Sequence, residues 1–144
     1  MLCAAELLQV KERAEKAYQE EQARLDMECA IQLIKKAEKT IEFCKEVVGK
    51  DLQEKAEARK ELKVEYWIKI YTDRLNNELF RLIKPDGYVY ADGMASMDSA
   101  GDYYSLTALQ DYLEGHCYKV KIEPIEYKTY GLGTRHGKKI IITI

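Results

Sequence analysis

The sequence predicts an α+β protein: a long N-terminal antiparallel helical hairpin, coiled-coil-like, followed by a small β-α-β-β module. Three observations predict it. Residues 4–48 contain neither glycine nor proline. Within them Ala30, Ile34, Ala37, Ile41, Cys44 and Val48 recur at alternating spacings of four and three, which lines one stripe of a helix. After Lys84 the apolar pattern shortens to strand-like runs broken by glycines.

The first helix is predicted to end at Gly49, with Asp51 and Glu54 as the start signal of a second helix over 52–83. Leu62, Val64, Tyr66, Trp67, Ile68, Ile70, Tyr71, Leu75, Leu79, Phe80, Leu82 and Ile83 give this arm an apolar face too wide for one partner helix. Lys84-Pro85-Asp86-Gly87 stops it. At about 1.5 Å per residue the first arm spans roughly 65 Å and the second about 48 Å, leaving an overhang of about a dozen residues. The predicted domains are therefore 1–83, the hairpin with its overhang, and 84–144, the α+β module packed on its open end.

The overhang carries Cys3, Leu7, Val10, Ala14 and Ala17 on one stripe. Two burials are open to it. Leu7 and Val10 pack on the C-terminal sheet, or Leu7, Val10 and Ala14 form a self-association seam with a second copy in a homodimer. The charged stretch 18–26 is a place for a bend.

In the C-terminal portion, 87–91 reads as a short strand and 92–102 as a loop rich in Gly, Ser, Ala and Asp. Residues 105–114 read as a helix with Leu106, Leu109 and Leu113 on one face, Ser105 as its cap and Gly115 as its stop. Tyr118, Val120 and Ile122 alternate with charged residues as in a half-buried strand, and Pro124 marks an edge or a bulge and a flip of the alternation. Residues 139–144 are apolar on both faces, as in a central strand. Between the runs lies a hairpin loop, 129–137, with three glycines.

Composition narrows the function. The 144 residues carry 23 basic and 25 acidic side chains, without the basic excess of a polyanion-binding domain. No apolar run approaches the roughly 20 residues needed to span a bilayer, and Glu6, Lys11 and Glu12 come too early for a signal peptide. Cys3, Cys29, Cys44 and Cys117 form no disulfide framework and fit reduced thiols in the cytoplasm.

Candidate chemistry is sparse. The Gly-rich segment 131–139, with Arg135, His136, Lys138 and Lys139, suggests phosphate or nucleic-acid binding, but it lacks a following helix N-terminus. A winged-helix reading, with 105–114 as recognition helix, is opposed by Asp111 and Glu114 on a helix without Lys or Arg. Cys117 and His136 lie too far apart along a hairpin to form a nucleophile pair. Asp92, Asp98 and Asp102 do not have the spacing of a calcium loop.

No catalytic residue, cofactor site or metal site is expected. Eight of the eleven tyrosines follow Lys84, and tyrosine suits interfaces. The expected function is a non-enzymatic cytoplasmic interaction protein: an adaptor, assembly factor or inhibitor. It would bind a protein partner through its C-terminal end, with Tyr103, Tyr104, Tyr130, Arg135, His136, Lys138 and Lys139 as contact residues. Nucleic-acid or phosphate binding through 131–139 is the alternative.

Overall fold

The computed structural model describes residues 1–83, 103–129 and 133–144. The predicted strand 87–91, the loop 92–102 and Tyr130 lie outside them.

The helical hairpin is not formed. Helix α1 (Ala4–Phe43) passes through a π-helical turn (Cys44–Val48) straight into α2 (Gly49–Glu57). Together they make one helix of about 80 Å. Gly49, the expected turn, is helical at φ −59° and ψ −43°. The π turn inserts one extra residue and so shifts the helix face by one position. The buried positions run Thr40, Cys44, Val48 and Leu52, while Val47 is left 39% exposed.

This geometry makes a sharp prediction for Gly49. A Cβ there meets only the Cys44 carbonyl oxygen, at 3.4 Å, an ordinary contact. Gly49→Ala should raise stability by roughly 0.5–1 kcal/mol through helix propensity. A left-handed turn at this position would instead make alanine destabilising. The urea midpoint distinguishes the two.

The predicted second arm is mostly sheet. Strands β1 (Lys63–Thr72) and β2 (Glu78–Leu82) form an antiparallel hairpin. The alternation Val64, Tyr66, Ile68, Ile70 explains the apparent width of the apolar face: both sides of a strand are partly covered. Short β3 (Tyr104–Ser105) leads into α3 (Leu106–Gly115), and β4 (Lys119–Thr129) and β5 (Gly133–Thr143) form a second hairpin. The sheet is antiparallel throughout, in the order β3-β2-β1-β5-β4. Strands from both sides of residue 83 share it.

Several local expectations match. α3 buries Leu106, Leu109 and Leu113, and the Ser105 hydroxyl accepts a bond from the Ala108 amide at 3.2 Å. Pro124 sits on edge strand β4, where a missing donor is tolerated, and β5 is central. The alternation does not flip at Pro124, because β4 pairs β5 in unbroken register from Lys119↔Thr143 to Thr129↔Gly133. Arg135, His136, Lys138 and Lys139 are therefore strand residues, not a loop.

Both helical layers lie on one face of the sheet. Phe43, Val48 and Leu52 meet Val64, Ile68, Phe80, Ile140 and Ile142, with the α3 leucines closing the core. A row of rings links helix to sheet: Tyr66 to Phe43 at 5.7 Å, Phe43 to Tyr104 at 5.0 Å, and Tyr104 to Phe80 at 5.4 Å. Thr40, fully buried, donates its hydroxyl to the Lys36 carbonyl at 2.6 Å and accepts from the Ser105 amide at 2.8 Å.

The β1–β2 turn grips α1 farther back. Arg74 reaches Asp26 at 2.7 Å and also bonds Gln22. Asp73 organises the turn by accepting from the Leu75 and Asn77 amides, both at 2.9 Å. Burial pushes the Asp73 carboxyl up, but bonds from Asn77, Cys29 and Leu75 outweigh it and hold the pKa below the usual value. Beyond this grip every residue from 1 to 21 is exposed. Leu7 and Val10, at 52% and 50% exposure, do not pack on their own sheet.

Candidate functional site

The register divides the sheet into two faces. Val64, Tyr66, Ile68, Phe80, Ile140 and Ile142 point toward the helices. Glu65, Trp67, Lys69, Tyr71, Arg81, Ile141 and Lys139 point the other way. No helix among the described residues lies on this outer face.

Aromatic rings and cations interleave there. Lys69 pairs in register with Arg81. The Tyr71 ring lies 6.0 Å from the Lys69 ammonium and 5.6 Å from the Arg81 guanidinium. Tyr103 meets Tyr71 edge-on at 5.3 Å. Burial first, then the nearby Arg81 and Arg135, hold the Lys69 ammonium below its usual pKa. Three positive groups thus share one end of the face. At the other end Glu65 bridges Lys63 at 3.3 Å and Lys139 at 3.5 Å.

The expected contact residues divide between these faces. Arg135 and Lys139 lie on the outer face, and Tyr103 joins it through Tyr71. Lys138 and His136 point to the helix side; both are exposed, and His136 lies 3.9 Å from Glu126. Tyr104 is partly buried, with its ring between those of Phe43 and Phe80. Trp67, Lys69, Tyr71 and Arg81 were hidden by the helical reading of 52–83. The alternation Glu65, Trp67, Lys69, Tyr71 was the signal for them.

A concavity lies where α2 meets β1. It is an open cleft of about 740 Å³ lined by Asp51, Glu54, Lys55, Lys60, Lys63 and Tyr66, among others. Tyr66 donates its hydroxyl to Asp51 at 2.5 Å. Burial, then this bond, raises the Tyr66 pKa well above the usual phenol value, so the ring stays protonated and is a poor base. Its contribution is fully present below the unfolded phenol pKa of about 10 and is lost as pH rises through the folded value. Alkaline titration should therefore destabilise the wild type more steeply above about pH 10 than Tyr66→Phe, as read from denaturation midpoints.

The cysteines show no nucleophile geometry. Burial raises the Cys44 thiol to about 11. Cys117 is exposed at the end of α3, whereas His136 pairs with Glu126 nine positions along the chain, roughly 30 Å for an extended chain. Cys117 instead closes α3. It takes the left-handed conformation, φ 68°, while the Cys117 and Tyr118 amides donate to Glu114 and Leu113, both at 3.0 Å. Arg59 does the same for α2 at φ 57°. Cys117→Gly and Arg59→Gly should each raise stability by about 0.5–1 kcal/mol, measured by thermal unfolding.

Among the described residues no group of three or more His, Cys, Asp or Glu is arranged to hold a metal ion. None of the described helices is long and apolar enough to cross a membrane. The fold and surface define a class, a mixed α+β head on a single long helix. No protein-family model, curated protein or solved structure matches this chain.

Proposed function

We propose that this chain is a non-enzymatic intracellular interaction protein, an adaptor, assembly factor or inhibitor, that binds a protein partner through the outer face of its sheet. The observation that carries the reading is the convergence of Lys69, Arg81 and Arg135 with the rings of Tyr71 and Tyr103. Such a surface suits an acidic patch on a partner: rings supply buried area, and cations supply orientation and speed of encounter. The reading does not rest on a helical-hairpin spine, which the chain lacks.

The test uses the two faces of the sheet against each other. A partner captured from the native cell should bind Lys69→Glu and Arg135→Glu at least tenfold more weakly, while Lys138→Glu, on the opposite face, retains affinity. Equal affinities across the three variants remove the outer face from the contact.

Nucleic acid is a second reading, supported by the same interleaving of rings and cations. Bases stack on aromatic rings while cations hold phosphates. It predicts binding of single-stranded oligonucleotides at low salt, lost steeply as salt rises, with quenching of Trp67 fluorescence. Absence of binding at low salt disposes of it. The near-balance of charge in the whole chain, 23 basic against 25 acidic, favours the protein partner.

A further inference from the structure

The sheet ends on β4, and among the described residues no strand lies beyond it. Backbone bonds elsewhere in the sheet show which groups of β4 face outward. The Asp73 amide donates to the Asn77 carbonyl at 3.0 Å, and the Ile83 amide to the Trp67 carbonyl at 2.9 Å. Odd-numbered residues of β1 therefore turn their amides and carbonyls toward β2, and even-numbered ones toward β5. Across the next register, Lys138, Ile140 and Ile142 face β1, which leaves Lys139 and Ile141 facing β4. On β4 itself Lys119, Lys121, Glu123 and Ile125 meet β5, and the backbone of Val120, Ile122, Pro124 and Glu126 faces outward. Pro124 fits this pattern, since its missing donor leaves the register with β5 unbroken.

The free edge is divided by its own proline. From Lys119 to Glu123 it presents the amides and carbonyls of Val120 and Ile122, a ready template for another strand. We propose that this stretch takes an extended segment of a partner protein, added beside β4 as a further strand. The edge is separate from the aromatic and basic outer face, so the two readings stand or fall apart.

The flanking side chains define the segment. Its alternate positions on the helix side lie beside Tyr118, Val120 and Ile122, which are half-buried and packed against the core, and are apolar. Its positions on the outer side lie beside the exposed Lys119 and Lys121, and are acidic. Glu123 bridges Lys121 at 2.9 Å, but Lys121 is 72% exposed, and a surface pair of this kind is worth little. A second copy of the chain fits less well. An antiparallel pair centred on Val120 sets Lys119 against Lys121, and one centred on Lys121 sets that lysine against its own copy. A centre from Ile122 to Glu126 brings Pro124 into the paired stretch and loses a bond in each copy.

The probe is a capped hexapeptide alternating aspartate with valine, titrated into the full chain labelled with nitrogen-15. Without peptide, the Val120 and Ile122 amides should exchange quickly with solvent while those of Lys121 and Glu123 are protected. With peptide, Val120 and Ile122 should gain protection and show the largest shifts. N-methylation of one alternate set of peptide amides should abolish binding and of the other set should leave it, because one edge of an extended segment faces β4. Ile122→Pro removes an edge donor where β5 receives none, and should weaken binding roughly tenfold, about one net hydrogen bond. Pro124→Thr adds a donor and should strengthen binding, a gain that does not depend on the proline variant folding. No shift at millimolar peptide, shifts centred on Trp67, Lys69 and Tyr71, or equal effects of the two methylations overturn the proposal. A dimer in light scattering that Ile122→Pro dissociates gives the edge to a second copy and overturns it as well.

Discussion

Phe80→Ala should destabilise the protein by about 3–5 kcal/mol, the range for emptying a buried aromatic site. Phe80 is 0% exposed on β2, and its ring ends the row that runs through Tyr104 and Phe43 to Tyr66. The cavity borders β2 and β3, bonded to each other in the sheet, and the long helix, held to β3 by the bond from the Ser105 amide to the Thr40 hydroxyl, so it cannot easily collapse inward. Phe80→Leu, which refills part of the volume, should recover more than half of the loss. Urea denaturation followed by circular dichroism measures both. Equal losses for alanine and leucine would show that the ring row, rather than filled volume, sets the stability here.

Thr40→Val should cost about 1–3 kcal/mol although the two side chains have nearly the same shape. The Thr40 hydroxyl takes the Ser105 amide hydrogen at 2.8 Å inside the core, and valine leaves that donor buried without an acceptor. Thr40→Ser keeps the hydroxyl and removes one methyl, for about 1 kcal/mol. Amide exchange separates them. The Ser105 amide should lose protection in Thr40→Val and keep most of it in Thr40→Ser. Retained protection in the valine variant would mean that the bond is not what holds β3 to the helix.

Some of this architecture was legible in the residues. α3 was legible because its signals are local: Ser105 as cap, a leucine repeat and a glycine stop all act within one turn of where they are read. The long run without glycine or proline gave α1 for the same reason. The edge placement of Pro124 and the central placement of the 139–144 run also followed from local chemistry, a missing donor and two apolar faces.

Other features were decided by contacts distant in sequence. Gly49 permits a helix end, but it continues helical because Val48 and Leu52 bury against Val64 and Ile140 on strands that follow it in the chain. Residues 63–82 fit a helical stripe on paper, but β-branched and aromatic side chains at every second position find partners on both faces once β5 lies beside β1. The basic segment near Arg135 became strand because β4 supplies its hydrogen bonds up to Gly133.

By itself, then, the sequence determined the helical arm, the α3 cap and leucine face, and the half-buried strand at Tyr118. In each case the deciding interactions span only a few residues. Only the tertiary structure decided that the helix runs unbroken past Gly49 and that the aromatic and basic residues of β1, β2 and β5 gather on one side of a sheet. Side-chain position in a sheet depends on which strand lies alongside and in what register, and pairing partners such as Trp67 and Lys139 are 72 positions apart.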